Sequence, residues 1–427
     1  MIKKILFAIL FFIFLTNQLE ALSLNEAINI FYKKNNQLKS EKMKKKEVNA
    51  SATTNLLSAL PDVRYSKTLY QNDVFTRSNG NIIDTGDSKD RKTLSINGTL
   101  SLGGTLINPL KGATIIESQK ILFRINEQNL LLTAIDTYLS VIRDQEILKT
   151  SIDNVDILEK YANLVKRRFD FGEVTKTDVE QSKARLSSAI STKIQSEGKL
   201  KVSKANFLKI FGVEPNNLFF PKDLPKIPQS FEEFKKLAKK NNLDLKYSEI
   251  NKQLSKEDLI ISTSAITPYF SYSRTRIEND DALLFQNGIK KQESKELSIN
   301  IPLAPKGGAE YAKIFQSKYA VNRAIYDYKN ALYELDSNIT SAWEDLQTTN
   351  ANIISAKDTV SFNKSALGSV KKEAQYGSRT TLDVLNAELE YFNANVNLIR
   401  MQNADLLSYY KILAIIGSLD KNIFNKK

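Results

Sequence analysis

The chain contains neither cysteine nor histidine among its 427 residues, so its chemistry must rest on Asp, Glu, Lys, Arg, Ser, Thr and Tyr. Disulfides, thiolate and imidazole metal sites, Cys or His nucleophiles, His-ligated haem and Ser–His triads are thereby excluded. What remains for catalysis is carboxylate chemistry, in which one acid donates a proton and a second carboxylate acts as base or nucleophile. Paired Asp and Glu do occur at helical spacing, as on any charged helix, but no pocket-forming pattern surrounds them. No catalytic residue, cofactor site or metal site is expected, and the chain does not read as an enzyme.

The net charge of +13 raises the question of a nucleic-acid partner. Lys, Asn and Ile are abundant from end to end, and most Lys are interleaved with Asp, Glu or Asn. No basic patch with interleaved aromatics stands out, so no nucleic-acid binding is expected. The basic stretch Lys42 to Lys46 reads as a solvated helix face.

The elements that position these side chains follow from the chain breakers. Gly (15) and Pro (9) are scarce, which favours long helices. At the start, Met1-Ile2-Lys3-Lys4 precedes an unbroken apolar run from Ile5 to Leu15, then Thr16 to Glu20 and the small residue Ala21. The run falls short of the roughly 20 residues that span a bilayer and suits a signal peptide over residues 1–21, cleaved after Ala21. No other apolar run approaches membrane-spanning length, so a membrane location would require β-strands.

Aligned with itself near an offset of 205, the chain repeats. Phe171-Gly172 meets Tyr376-Gly377, Thr177-Asp178-Val179 meets Leu382-Asp383-Val384, and Phe211-Gly212 meets Ile416-Gly417. Lys33-Lys34-Asn35-Asn36 meets Lys239-Lys240-Asn241-Asn242, and Pro61 meets Pro268. Shared order in two halves marks a tandem repeat. The first copy is read as 22–214 and the second as 229–427, joined by a linker over 215–228 that carries Pro215, Pro221, Pro225 and Pro228. No Pro occurs from 110 to 214 or from 306 to 427, so each copy reads as a helix, two strands and a long helical hairpin.

Leu94, Ile96, Gly98, Leu100 and Leu102 alternate with Ser95, Asn97, Thr99 and Ser101, and Leu297, Ile299, Ile301 and Leu303 alternate with Ser298 and Asn300. Period two with one apolar face predicts strands at about 92–102 and 295–303. Their partners are placed at about 61–70 and 268–278, each headed by a Pro at a helix-to-strand corner. Polar loops are expected around 72–90 and 279–294. A leader together with polar opposite faces favours a barrel with lipid outside and water inside over a soluble hairpin. Four strands cannot close a barrel, whereas three copies supply an even-numbered set of twelve.

From Leu332 an apolar seam runs Leu335, Ile339, Ala342, Leu346, Thr349, Ile353, Ala356, Val360, Asn363, Leu367, Val370 and Ala374, at spacings of three and four. It resumes beyond Gly377 from Leu385 to Leu413, and a looser version runs from Leu148 through Ile152 and Leu158 to Phe169. Sustained 3,4 spacing is a coiled-coil seam. Helical hairpins are predicted over about 110–212 and 306–417, with outgoing helices of roughly 90 and 105 Å. Gly172 and Gly377 mark the turns between antiparallel helices.

These features resemble the TolC-like outer-membrane efflux protein family. The carriers are Leu22 to Ala27, Arg168-Phe169-Asp170-Phe171-Gly172-Glu173-Val174-Thr175-Lys176-Thr177-Asp178-Val179, and Tyr376-Gly377-Ser378-Arg379-Thr380-Thr381-Leu382-Asp383-Val384-Leu385-Asn386-Ala387. Ile301-Pro302-Leu303 followed by Gly307-Gly308 is similar to the family's second strand-to-helix corner. The resemblance implies a mainly α protein with a small β part: a homotrimer whose four strands per chain complete a twelve-stranded barrel in the outer membrane of a Gram-negative bacterium, continued by a helical tunnel through the periplasm. It also implies an exit duct for efflux or type I secretion, working with a periplasmic adaptor protein and an inner-membrane pump. By motif, Arg379 takes the place of a gating Arg, Asp383 that of an Asp ringing the constriction, and Thr177 and Asp178 those of its partners on the first hairpin. Asn386 stands where a second constriction Asp can occur, and Ala374 where an aromatic gate partner is expected. Gly172, Glu173, Val174, Gly377 and Ser378 are the tip residues expected to dock the adaptor. The alternative is a periplasmic coiled-coil adaptor or structural protein, which would use the same heptads without needing two amphipathic hairpins at matching places.

Overall fold

A computed structural model describes residues 22–72, 75–78, 81–84, 87–221, 224–279 and 291–425. The leader expected over 1–21 lies outside the described residues. In chain order the elements are α1 (Leu24–Lys34), α2 (Asn36–Leu57), β1 (Asp62–Asn72), β2 (Phe75–Ser78), β3 (Asn81–Asp84), β4 (Asp87–Leu100), α3 (Asn108–Asp170) and α4 (Lys176–Phe211). The second half follows with α5 (Phe231–Asn241), α6 (Leu243–Ser264), β5 (Tyr269–Asn279), β6 (Lys291–Asn300), α7 (Ala309–Gln375) and α8 (Thr381–Ile415). A π-helical turn, Leu102–Ile107, leads into α3, and a 3-10 turn, Pro305–Gly308, leads into α7. The Pro-rich stretch between α4 and α5 carries no helix or strand among its described residues.

The two halves repeat down to their caps. Ser23 Oγ accepts from Glu26 N–H at the start of α1, and Ser230 Oγ accepts from Glu233 N–H at the start of α5. At the other end of these short helices, Asn35 Nδ2 donates to Ile210 O (2.8 Å) and Asn242 Nδ2 donates to Ile415 O (2.9 Å). Both acceptors are last-turn carbonyls of α4 and α8, which have no partner within their own helix. The amide clasp therefore fixes each short helix to the end of its own hairpin.

The chain divides into two compact units, one holding the chain up to Glu41, Arg124–Leu243 and the chain from Tyr333, the other Lys42–Phe123 and Asp244–Leu332. In the first, Phe207 stacks on Phe211 at 4.2 Å, Phe31 meets Phe211 edge-on, and Tyr138 is fully buried beside them. Burying each such ring contributes about 1.5–3 kcal/mol. The Tyr138 hydroxyl shares its proton between Leu22 O (2.8 Å) and Phe219 O (3.0 Å), and burial pushes its pKa up to about 12. Along α7 the seam residues Leu335, Ile339, Ala342, Leu346, Ala356 and Leu367 are buried within the protomer, Ile339 to 1% exposure. The looser seam on α3 buries Leu158 and Val165 but leaves Ile152 and Phe169 exposed.

The second unit holds an antiparallel sheet in the order β1-β4-β5-β6. Its strands begin just beyond Pro61 and Pro268, where the missing N–H breaks no ladder bond. The stretch expected as a loop from 72 to 90 instead contains the β2–β3 hairpin, paired Phe75↔Asp84 to Ser78↔Asn81, and β4 starts at Asp87 rather than near 92. The sequence signal for that hairpin is Asn79-Gly80. β4 also ends at Leu100, because Ser101 caps the π-helical turn by accepting from Gly104 N–H. In the second half, residues 280–290 of the expected loop lie outside the described residues, and β6 begins at Lys291.

Candidate functional site

Two places concentrate side chains that are not spent on packing: the hairpin turns of the first unit and the faces of the sheet in the second.

The turns are near copies. At the first, Gly172 N–H donates to Phe169 O and Glu173 N–H to Arg168 O; at the second, Gly377 N–H donates to Ala374 O and Ser378 N–H to Glu373 O. Both glycines sit at φ +77°, the left-handed conformation that closes such a C-cap and that β-branched residues resist. Nothing lies within 4 Å of where a Cβ would project from either. The next helix is started by a Thr. Thr175 Oγ1 accepts from Asp178 N–H while Asp178 Oδ2 accepts from Thr175 N–H and hydroxyl, and Thr380 and Asp383 form the same reciprocal box. Gly172, Glu173, Gly377 and Ser378 are exposed, and Val174 is half-buried.

These bonds set the electrostatics. The Asp178 carboxyl is held below the usual carboxylate range, first by the Thr175 side chain and then by the Thr175 backbone and the Thr381 hydroxyl. Asp383 is held low by the Thr380 backbone and side chain, with help from the Arg379 charge. Asp178 and Asp383 are therefore carboxylates at neutral pH, each at a helix N-terminus that favours negative charge.

The resemblance makes Thr177 and Asp178 the partners of Arg379; within the protomer the guanidinium bonds a different group. Arg379 Nε donates to Glu373 Oε2 at 2.7 Å, in the closing turn of α7. The guanidinium is taken by the carboxylate six residues back in its own turn. The second-hairpin group that meets Asp178 is the Thr381 hydroxyl, which also bonds half-buried Tyr161 on α3. Thr177 is exposed on the first turn of α4. Asn386 accepts from Arg185 Nη2 at 2.8 Å, a link between α4 and α8. Leu158, Ala189 and Leu385 form a small core near this link, and buried Glu388 pairs with Lys371.

The turns differ in one respect. At the first, Arg168 on the outgoing helix pairs with Glu173 beyond the glycine (3.2 Å); at the second, Glu373 occupies the place equivalent to Arg168 and Arg379 lies beyond the glycine. The ion pair is reversed. Arg185, Thr381, Lys371 and Glu388 were not singled out in the sequence, where they look like ordinary positions on charged helices.

The sheet separates its side chains by face. Register places Val63 and Tyr65 opposite Ile96 and Leu94, Tyr272 and Phe270 opposite Gly98 and Leu100, and Leu297 and Ile299 opposite Tyr272 and Phe270, all on one side. That side is open: Leu297 is 75% and Ile299 65% exposed. The other side carries Ser66 and Thr68 on β1, Thr93, Ser95 and Asn97 on β4, Ser271, Ser273 and Thr275 on β5, and Ser298 and Asn300 on β6. A water-exposed apolar face on a sheet this size has no place in a soluble monomer. Among the described residues β1 and β6 each pair on one side only. Among the described residues no helix is long and apolar enough to cross a membrane, and no group of His, Cys, Asp or Glu could hold a metal ion.

Residues 236–418 match the family model of outer membrane efflux proteins. The chain is similar to the outer membrane efflux protein BepC of Brucella suis, 24% identical over 73% of this chain and 68% of that protein. It is also similar to the outer membrane protein TolC of Escherichia coli, 22% identical over 71% of this chain and 64% of that one. Among solved structures, the CmeC outer membrane channel of Campylobacter jejuni superposes with a TM-score of 0.80 over 93% of this chain and 87% of that one, at 15% identity, a likeness of fold.

Proposed function

This chain is a TolC-like outer-membrane efflux protein, and from that premise we propose that three copies form the exit duct of an efflux or type I secretion system. The carrying observation is the four-stranded sheet with one apolar and one polar face and two unpaired edges. In lipid an unpaired backbone edge costs several kcal/mol per group. Joining β6 of one copy to β1 of the next closes twelve strands, with the apolar faces towards lipid and the Ser, Thr and Asn faces lining a water-filled lumen.

A second copy also has a seam to cover. On α7 Tyr311, Phe315, Tyr319 and Tyr326 follow one another at spacings of four, four and seven, and all are exposed in the protomer. That is one helical stripe, of the kind a neighbouring helix covers.

The hairpin tips form the inner end of the duct. There Gly172, Glu173, Gly377 and Ser378, which are exposed, and half-buried Val174 between them form the surface for an adaptor protein, which couples the duct to an inner-membrane pump. Asp178 and Asp383 supply six carboxylates per trimer at the inner mouth, beside Thr177, Arg379 and Asn386, and give it a preference for cations. Transport is diffusion along the conduit, with no chemical step in this chain.

The test is the mass of the protein extracted from outer membranes in a mild detergent. A particle three times the chain mass is expected. A stable monomer overturns the reading.

A further inference from the structure

The apolar face of the sheet does not stay apolar to its end. Past Tyr65, Leu94, Tyr272 and Leu297, towards the ends of the strands that lead away from the helices, the same face becomes charged. Register sets Lys67 directly opposite Lys92 and Arg274 directly opposite Lys295. Like charges placed across a ladder repel one another and destabilise the pair. Among the described side chains three carboxylates answer on this face. Asp90 pairs with Lys67, Glu278 serves both Arg276 and Lys291, and Glu293 serves both Arg274 and Lys295. On β5 and β6 four cations therefore share two anions, and these basic side chains remain about half exposed or more.

The line between the apolar and charged parts is oblique. On β4 apolar residues reach Leu94, while on β5 and β6 they stop at Tyr272 and Leu297, which lie level with Gly98; on β1 exposed Leu69 follows Lys67 on the same face. Strands about 4.8 Å apart and tilted by about 40° cross a level boundary about one residue later on each successive strand. A cation on the lipid-facing side is costly at mid-bilayer and tolerated at the interface, which is where this line places the charges.

We propose that this strip, Lys67, Lys92, Arg274, Arg276, Lys291 and Lys295, is a binding surface for the phosphate-bearing glycolipid headgroups of the outer leaflet. The inference rests on the membrane-barrel reading, which puts the helices on the periplasmic side and the strip on the outer one. A phosphate between Arg274 and Lys295 relieves the opposed charges, and the Arg forks match phosphate oxygens in pairs.

The test uses full-length trimer in a neutral detergent, titrated with lipid A carrying two phosphates, with the same lipid A after dephosphorylation, and with phosphatidylglycerol; bound lipid is counted by native mass spectrometry. The wild type is expected to retain the bisphosphorylated form and lose the dephosphorylated one. The Arg274→Gln/Lys295→Gln variant is expected to bind it about 25-fold more weakly, since each cation at an anionic surface contributes about fivefold. Arg64→Gln, on the polar face, should bind as the wild type does. Equal binding of both lipid A forms, undiminished binding by the double variant, or phosphatidylglycerol binding as well as lipid A overturns the proposal while leaving the barrel intact. If the double variant fails to assemble, the comparison of the two lipid A forms on wild type decides alone. A wild-type protein absent from the outer-membrane fraction overturns the barrel and this proposal together.

Discussion

Arg379 Nε lies 2.7 Å from Glu373 Oε2, so the guanidinium nearest the second hairpin turn is neutralised by a carboxylate of the same turn. The carboxylate also raises the Arg379 pKa further above its ordinary value, so the guanidinium stays charged.

Its two halves should therefore act in opposite directions on ion selectivity. Arg379→Ser leaves three uncompensated Glu373 carboxylates at the mouth of the trimer and should raise cation preference; Glu373→Gln frees three guanidinium groups and should lower it. Reversal potentials in a planar bilayer under a KCl gradient read the sign directly. Both side chains are about half exposed, and surface pairs contribute little to stability, so neither change should move the thermal midpoint appreciably. Shifts of the same sign in both variants would rule out the assignment.

The tip glycines separate backbone from space. Because no atom lies near a Cβ at Gly172 or Gly377, substitution is penalised by φ alone. Gly377→Val should destabilise the turn by about 1–2 kcal/mol and impair export without preventing outer-membrane insertion, while Gly377→Asn, which tolerates the left-handed region, should stay close to wild type. Export of a reporter drug and outer-membrane yield are the two readouts. Full export by the Val variant would remove the tips from the docking model.

The capping boxes make a pH prediction. Asp178 and Asp383 have folded pKa values depressed by their Thr partners. Their stabilisation is fully present above the ordinary carboxylate value near 4 and is lost as pH falls through the depressed folded values. Thr175→Ala or Thr380→Ala should cost about 1 kcal/mol at neutral pH. The double Thr variant should also lose less stability than wild type between pH 5 and pH 2, roughly the span of that titration. Circular dichroism melts in detergent follow both. A wild-type acid profile in the double variant would contradict the boxes.

Neighbouring residues on β6 test the two faces of the sheet. Ile299→Arg places a cation among lipid tails and should cost about 2–4 kcal/mol, sharply reducing trimer yield. Ser298→Arg, one residue away on the polar face, should assemble normally and shift conductance towards anions. Comparable yields from both would place the sheet outside lipid.

Much of this architecture was legible because it is periodic. The alternation from Leu94 to Leu102, the 3,4 seam from Leu332 and the glycines one repeat apart all declare local geometry, and a duplicated chain declares it twice. What escaped the sequence depends on which helices lie side by side. The Arg185–Asn386 bond joins residues 201 apart in the chain, and within the protomer Thr381 meets Asp178 while Arg379 bonds Glu373. The β2–β3 hairpin was also missed, since a short polar stretch offers no amphipathic pattern long enough to outweigh its loop composition.

The reversed ion pairs at the two turns carry a further consequence. A trimer of a duplicated chain offers six tips of almost one shape, and a partner approaching them could dock equally well after a rotation of one sixth of a turn. With Arg168 inside and Glu173 beyond the glycine on one hairpin, and Glu373 inside with Arg379 beyond on the other, adjacent tips bear mirrored charge signs. Only every second position is then alike, so the ring carries its own index mark and a complementary partner has three places to settle instead of six.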